Sequence, residues 1–258
     1  MKIVIYTVLT GAYDNLNQPR HVESGFSYIC FTDTVQKQKI GVWEMREIPN
    51  VSDDKKILSR YPKMHPHLLL DEFDYSVYID ANVIILDDTL YKCSLELISR
   101  HICLAGMKHQ EVECAYVEGL RIYTIGKEKK IREIIRTLRF LRRENFPYNY
   151  GMYEANVIFR NHHNQDVIRQ CELWWNCFIN YVKRDQITYS YTLWKNHIPF
   201  NYILPECFSA NNHSGFYVVQ EGHGRPKTKV RTFLKDILYP PTLWLLKRYV
   251  ELTKNVKD

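Results

Sequence analysis

The chain contains no apolar run approaching the ~18–20 residues that a membrane-crossing helix needs. Its opening, MKIVIYTVLTGAYD, reaches polar turn residues too soon for the apolar stretch of a secretory leader. Seven cysteines are present, Cys30, Cys93, Cys103, Cys114, Cys171, Cys177 and Cys207, but no pair is spaced C-x-x-C. That spacing excludes the usual zinc patterns, and the odd count reads as reduced, mostly buried thiols of a cytosolic protein. Glycine and proline number only ten each in 258 residues, and no repeat or low-complexity stretch occurs. Collagenous and disordered classes are thereby excluded. What remains is 45% hydrophobic and 25% charged, enough for one large domain or two small ones.

The net charge of +6 is unevenly placed. Residues 225–258 carry nine Lys/Arg against three Asp/Glu, while the first 224 carry twenty-six of each sign. A second basic cluster, Lys127 to Arg143, holds eight basic and two acidic residues. A balanced body with a basic tail predicts an anionic surface as partner and argues against a nucleic-acid binder, which would be basic throughout. In the tail, Leu243, Trp244, Leu245 and Leu246 adjoin Lys247 and Arg248, a mixture that suits the headgroups of an anionic membrane surface. A docked C-terminal helix is the plainer alternative.

Hydrophobic patterning predicts strands over 2–9, 27–31, 42–48, 75–86, 102–106 and 155–159. It predicts helices over 53–60, 128–145, 165–182 and 184–195, with Pro62 and Pro66 interrupting the chain before 67–70. Alternating strands and helices imply a layered α/β sheet. Residues 1–224 read as one domain and 225–258 as a basic, apolar appendage broken at Pro240-Pro241.

Asp80 stands out, because a carboxylate inside an apolar strand is costly unless paired or bound to a cation. If 75–86 is one strand, Asp80 and Asn82 share a face across Ala81 and can hold a hard divalent ion, which in turn holds a diphosphate. Arg60, Lys63 and His67 lie on a segment stiffened by two prolines and can neutralise phosphate oxygens. Glu154 and Asn156 share a strand face ahead of Arg160 and His162, where they can bind sugar hydroxyls or supply a base. Asp185, before Gln186, opens a helix, which is ordinary N-terminal chemistry. His213 and His223 lie in loops where each can offer a neutral imidazole to a metal.

Together, Arg60…Lys63…Pro66-His67…Tyr78-Ile79-Asp80 and Glu154…Ile158…Arg160…His162…Trp174-Trp175-Asn176…Arg184-Asp185-Gln186 resemble the signature of a known family. It is the TOD1/MUCI70-type glycosyltransferase-like domain of plant mucilage and turgor-regulation proteins, with bacterial polysaccharide-locus relatives. The resemblance spans about residues 3 to 225. It implies a GT-A fold, a Rossmann-like mixed sheet binding a nucleotide sugar at its carboxyl ends. Thr7, Thr10, Gly11, Tyr13 and Asp33 would flank the base and ribose. Arg60, Lys63, His67, Asp80, Ala81 and Asn82 would face the diphosphate, with Asp80, Asn82 and His223 as ligands for Mn or Mg. Asn156, Arg160, His162 and Gln186 would meet the sugar or acceptor, with Asp185 or Glu154 as base. Asn82 replaces the second acid of a D-x-D element. The expectation is a cytosolic, membrane-peripheral glycosyltransferase that extends a polysaccharide or a lipid-linked glycan such as lipopolysaccharide. The alternative is a non-catalytic glycan-binding module on the same fold, its aromatic residues stacking on sugars.

Overall fold

The structure is a computed structural model and describes residues 1–11, 16–219 and 248–251. Tyr13, His223 and most of the 225–258 tail therefore lie outside the described residues. The apolar run Ile3–Leu9 forms β1 and is buried on both faces, as a central strand covered above and below must be. Next come β2 (Phe26–Thr32), β3 (Lys39–Ile40), β4 (Trp43–Glu47), α1 (Lys55–Met64) and the single turn α2 (Pro66–Leu69). β5 (Tyr75–Ile79), β6 (Val83–Ile85), α3 (Thr89–Ser99) and β7 (Leu104–Lys108) follow. The chain continues with α4 (Ala115–Thr124), α5 (Ile131–Arg143), β8 (Tyr153–Arg160), α6 (Gln165–Asn180), α7 (Asp185–Lys195) and β9 (Phe216–Val218).

Seven strands form one mixed sheet in the order β3-β4-β2-β1-β5-β8-β7. β1 runs parallel to β2 and β5, and β2 parallel to β4, whereas β8 is antiparallel to both β5 and β7. The chain moves outward from β1 through β2 to β4 and then returns to β5 on the other side of β1. That reversal opens a crevice at the carboxyl ends of β1 and β5, where ligands bind in open α/β sheets. This mixed sheet flanked by helices has the GT-A-like, Rossmann-type arrangement expected from the sequence.

Alternation along β1 divides the core. Val4, Tyr6 and Val8 join Trp174, Phe178 and Tyr189 under α1, α6 and α7. Ile5 joins Val77, Phe159 and the α3 residues Leu90, Tyr91 and Leu97 on the opposite face. A third cluster packs α4 and α5 against the outer sides of α6 and α7. Helix starts follow side-chain chemistry: Asp54 caps α1 through the Lys56 N–H, and Asn164 caps α6 through the Asp166 and Val167 N–H groups.

Two local expectations are corrected. Pro62 does not interrupt α1, which runs on to Met64, because so near the end the missing N–H forfeits a single helical bond. Residues 75–86 are not one strand. β5 ends at Ile79, a turn occupies 80–82, and Val83–Ile85 leave the main sheet to pair antiparallel with β9. Asp80 and Asn82 thus sit on a turn at the mouth of the crevice and not on one strand face. Among the described residues, no helix is long and apolar enough to cross a membrane.

Candidate active site

Three elements deliver charge to the carboxyl end of β5. α1 brings Arg60 and Lys63 one turn apart, the first turn of α7 brings Asp185, and the turn after β5 brings Asp80. Lys63 Nζ donates to Asp185 Oδ2 at 2.7 Å and to Asp80 Oδ1 at 3.4 Å. Arg60 Nε donates to the same Asp185 oxygen at 3.1 Å. The Tyr78 hydroxyl donates to Asp80 Oδ1 at 2.6 Å, and burial, then the Asp80 charge, keep that phenol protonated. The Lys63 side chain is 2% exposed and that of Asp185 14%, while that of Asp80 remains 37% exposed. The pair behind is sequestered and Asp80 is the face offered to the crevice.

Burial alone would raise the Asp185 carboxyl, but Lys63 and then Arg60 outweigh it and hold the group well below the usual carboxylate range. A carboxylate so stabilised is a poor proton acceptor. Asp185, expected as a base, is bonded by Lys63 and Arg60 and fixes the positions of both. The Trp174 indole N–H secures the Asp185 carbonyl at 2.8 Å, so the turn carrying this residue is itself anchored in the core.

Arg160 and His162 are corrected too. Neither is exposed to solvent, so neither faces a sugar. Arg160 Nη1 donates to the Lys63 carbonyl at 2.9 Å and Nη2 to the Tyr6 hydroxyl at 2.7 Å. It ties α1 to β1 beneath the charged cluster. His162 pairs its Nε2 with the Leu70 carbonyl at 2.9 Å, and burial lowers its pKa to about 4. Thr7 is likewise interior at 1% exposure, in mid-strand and not at the crevice. His67 turns to α6, where its Nε2 lies 2.9 Å from Glu172 Oε1.

Thr10 and Gly11, just past β1, lie at the crevice. Gly11 adopts φ +62°, a conformation that disfavours any side chain, and its N–H donates to Asp33 Oδ1 at 3.0 Å and Oδ2 at 3.1 Å. Lys55 Nζ donates to Asp33 Oδ2 at 2.7 Å. Burial opposes ionisation of Asp33, yet Lys55 and the Gly11 N–H prevail and lower its pKa. Thr10 makes only a long 3.5 Å contact to the Lys55 carbonyl. Asn17 Nδ2 donates to the Ala81 carbonyl at 2.9 Å and so pins the 80–82 turn.

β8 supplies the other wall. The Asp80 N–H donates to the Asn156 carbonyl at 2.8 Å, which sets Glu154 two residues away on the same strand. Glu154 Oε2 accepts from Asn156 Nδ2 at 2.9 Å and from Asn211 Nδ2 at 3.3 Å. Burial raises its pKa despite these donors. Gln186 is half-buried on the first turn of α7. His213 accepts from the Gly215 N–H through Nδ1 at 3.0 Å, an ordinary loop bond. Tyr78, Asn17, Lys55 and Asn211 were not legible as site residues. Only Tyr78 had a local signal, a hydroxyl two positions before the carboxylate in an otherwise apolar strand.

The profile of the TOD1/MUCI70, glycosyltransferase-like domain matches residues 1–212. The chain belongs to this family. A search of curated proteins found no match. In this glycosyltransferase-like domain, the matched span includes the crevice, Lys63, Asp80, Glu154 and Asp185.

Metal capacity follows from the donors. Asp80 Oδ1 is occupied by Tyr78 and Lys63, leaving Oδ2, and Asn82 spends its Nδ2 on the Val219 carbonyl at 3.4 Å, leaving its amide oxygen. Among the described residues no cluster of three His, Cys, Asp or Glu side chains forms. Two such oxygens fall short of an all-protein cage for a divalent ion and leave most of its coordination to other groups.

Proposed function

We propose that this domain transfers a sugar from a nucleotide diphosphate donor to the hydroxyl of a growing polysaccharide or lipid-linked glycan. The observation that carries the reading is the partly exposed Asp80 backed by the buried Lys63 and its Asp185–Arg60 partners at the crevice between β1 and β5. In that crevice Asp33 and the Gly11 loop meet the nucleoside and its ribose hydroxyls. Lys63 and Arg60, fixed by Asp185, stabilise charge developing on the departing diphosphate. Asp80 and Asn82 would hold a divalent ion, which when bound would supply Lewis-acid neutralisation of the same charge.

Glu154 is the base of choice, since its raised pKa makes it a better proton acceptor than Asp185. In an inverting transfer it removes the acceptor proton as the new glycosidic bond forms and the bond to the diphosphate breaks. In a retaining transfer it steadies the cationic sugar. The glycan-binding alternative loses its main support, because among the described aromatic side chains only Phe208 and Tyr217 are exposed.

The test is a thermal-shift screen of nucleotide diphosphates and their sugars, with Mn²⁺, Mg²⁺ or EDTA. A ligand at 100 times its Kd adds about 2.7 kcal/mol, a rise of a few degrees in Tm. Stabilisation by one nucleotide, lost in Asp80→Ala together with transfer while the fold persists, supports the reading. Glycan binding without any nucleotide response overturns it.

A further inference from the structure

We propose that the exposed face of α5 is a docking surface for an anionic lipid bilayer. The inner stripe of this helix, Ile134, Leu138 and Leu141, is wholly buried. Its outer side carries Arg132, Arg136, Arg139, Arg142 and Arg143, all exposed. Among the described residues none of these five forms an ion pair with a carboxylate, whereas Arg46, Arg100, Arg121 and Arg169 on other surfaces all do. Like charges at this spacing weaken a helix, so the arrangement is explained by an external anion rather than by the fold.

Beside the arginines runs a groove of about 1050 Å³ whose floor includes Phe140, Tyr181 and Tyr249. Phe140 stacks on Tyr181 at 4.2 Å, and Arg136 lies over the same tyrosine ring at 5.5 Å. Val250 is buried in the core cluster that contains Ile134, Leu138 and Leu141. Residues 248–251 are therefore tied to the body at the arginine face. The sequence from 225 to 258, most of which lies outside the described residues, carries a charge of +6. With residues 127–143 at +6, the rest of the first 224 residues, eighteen basic against twenty-four acidic, is −6. Within residues 1–224, attraction for polyanions is thus concentrated on the 127–143 segment.

Three features favour a bilayer over other anions. From Arg132 to Arg143 the helix spans about 16 Å, more than one phosphate group covers. The Phe140, Tyr181 and Tyr249 side chains beside the guanidiniums suit the headgroup boundary, where apolar groups are buried while cations meet acidic lipids. The acidic remainder of the body repels an extended nucleic acid.

The experiment uses the full chain in co-sedimentation with phosphatidylcholine vesicles, with and without phosphatidylserine. Sedimentation is expected only with phosphatidylserine. Combining Arg136→Glu, Arg139→Glu and Arg143→Glu should lower partition on the order of 100-fold or more, at roughly fivefold for each cation lost. An Arg→Gln set at the same positions should give a smaller loss and guards against misfolding of the charge-reversed chain. The nucleotide-induced thermal shift should persist in both variants, which separates this surface from the crevice. Equal sedimentation with neutral vesicles, unchanged partition in both variants, or tighter binding to a short DNA duplex than to the acidic vesicles would overturn the proposal.

Discussion

Replacing Asp185 by Asn tests the architecture of the site most directly. The substitution is nearly isosteric but removes the charge that balances Lys63 at 2.7 Å and Arg60 at 3.1 Å. Lys63 is then left almost fully buried with only Asp80, 3.4 Å away, as a counter-charge. Breaking one side of a buried ion pair costs about 3–5 kcal/mol, because the surviving charge stays desolvated. Set against a total stability of roughly 5–15 kcal/mol, that is a large loss. Lys63→Met should cost less, since Asp185 keeps Arg60. The double variant should lose less than the two single losses summed, because the orphaned ammonium is gone.

Urea unfolding at pH 7 and pH 3 measures these differences. The sign is set by the depressed pKa of Asp185: its contribution is fully present above the unfolded value of about 3.9 and fades as pH falls toward the folded one. The gap between wild type and Asp185→Asn should therefore shrink by about 1.4 kcal/mol per pH unit below about 4. A loss under about 1 kcal/mol at pH 7, or a gap equal at both pH values, would refute the reasoning.

Other expectations concern neighbouring groups. Glu154→Gln should lower turnover by about 10²–10⁴-fold and remove the acid limb of the pH–rate profile, as expected for loss of a general base. Because burial raises the Glu154 pKa, its charged form strains the fold at neutral pH, so the same variant should melt no earlier than wild type. His109 and His162 are both held neutral by burial, with pKa values lowered to about 4. Their stabilisation is complete above the unfolded value of about 6.5 and drains as pH falls, by about 2 kcal/mol each between pH 7 and 5. His162→Gln should flatten that decline in a melting series across the same range.

The sheet was largely legible because its strands are short, β-branched and bounded by turn residues, as in β1 and β2. The amphipathic stripes of α5 and α6 were equally plain. The break at Asp80 was not, because Val83–Ile85 stay as apolar as the strand before them and their pairing partner, β9, lies about 130 residues away. α4 offered little to read: it contains Gly119 and buries a carboxylate, Glu118, where an apolar stripe would be sought. Motif residues pointed to the right region but not to each role. Lys63 and Asp80 meet in the crevice, whereas the fully buried Arg160 serves the scaffold. Sequence spacing conveys that residues are needed together, and only packing separates those that touch a ligand from those that hold its contacts in place.

The Arg160 strut has a consequence for how the protein responds to its surroundings. A guanidinium stays charged throughout the working pH range, so the link it makes among β1, α1 and the Lys63 backbone does not titrate. The cluster it supports is also ionised well beyond ordinary acidity on the Asp185 side. The molecule is thus divided into an invariant floor and a responsive wall, the latter consisting of Glu154 and its Asn211 partner on a surface loop. On the proposed function, acidity and acceptor choice should register at that wall, while donor handling on the floor stays constant.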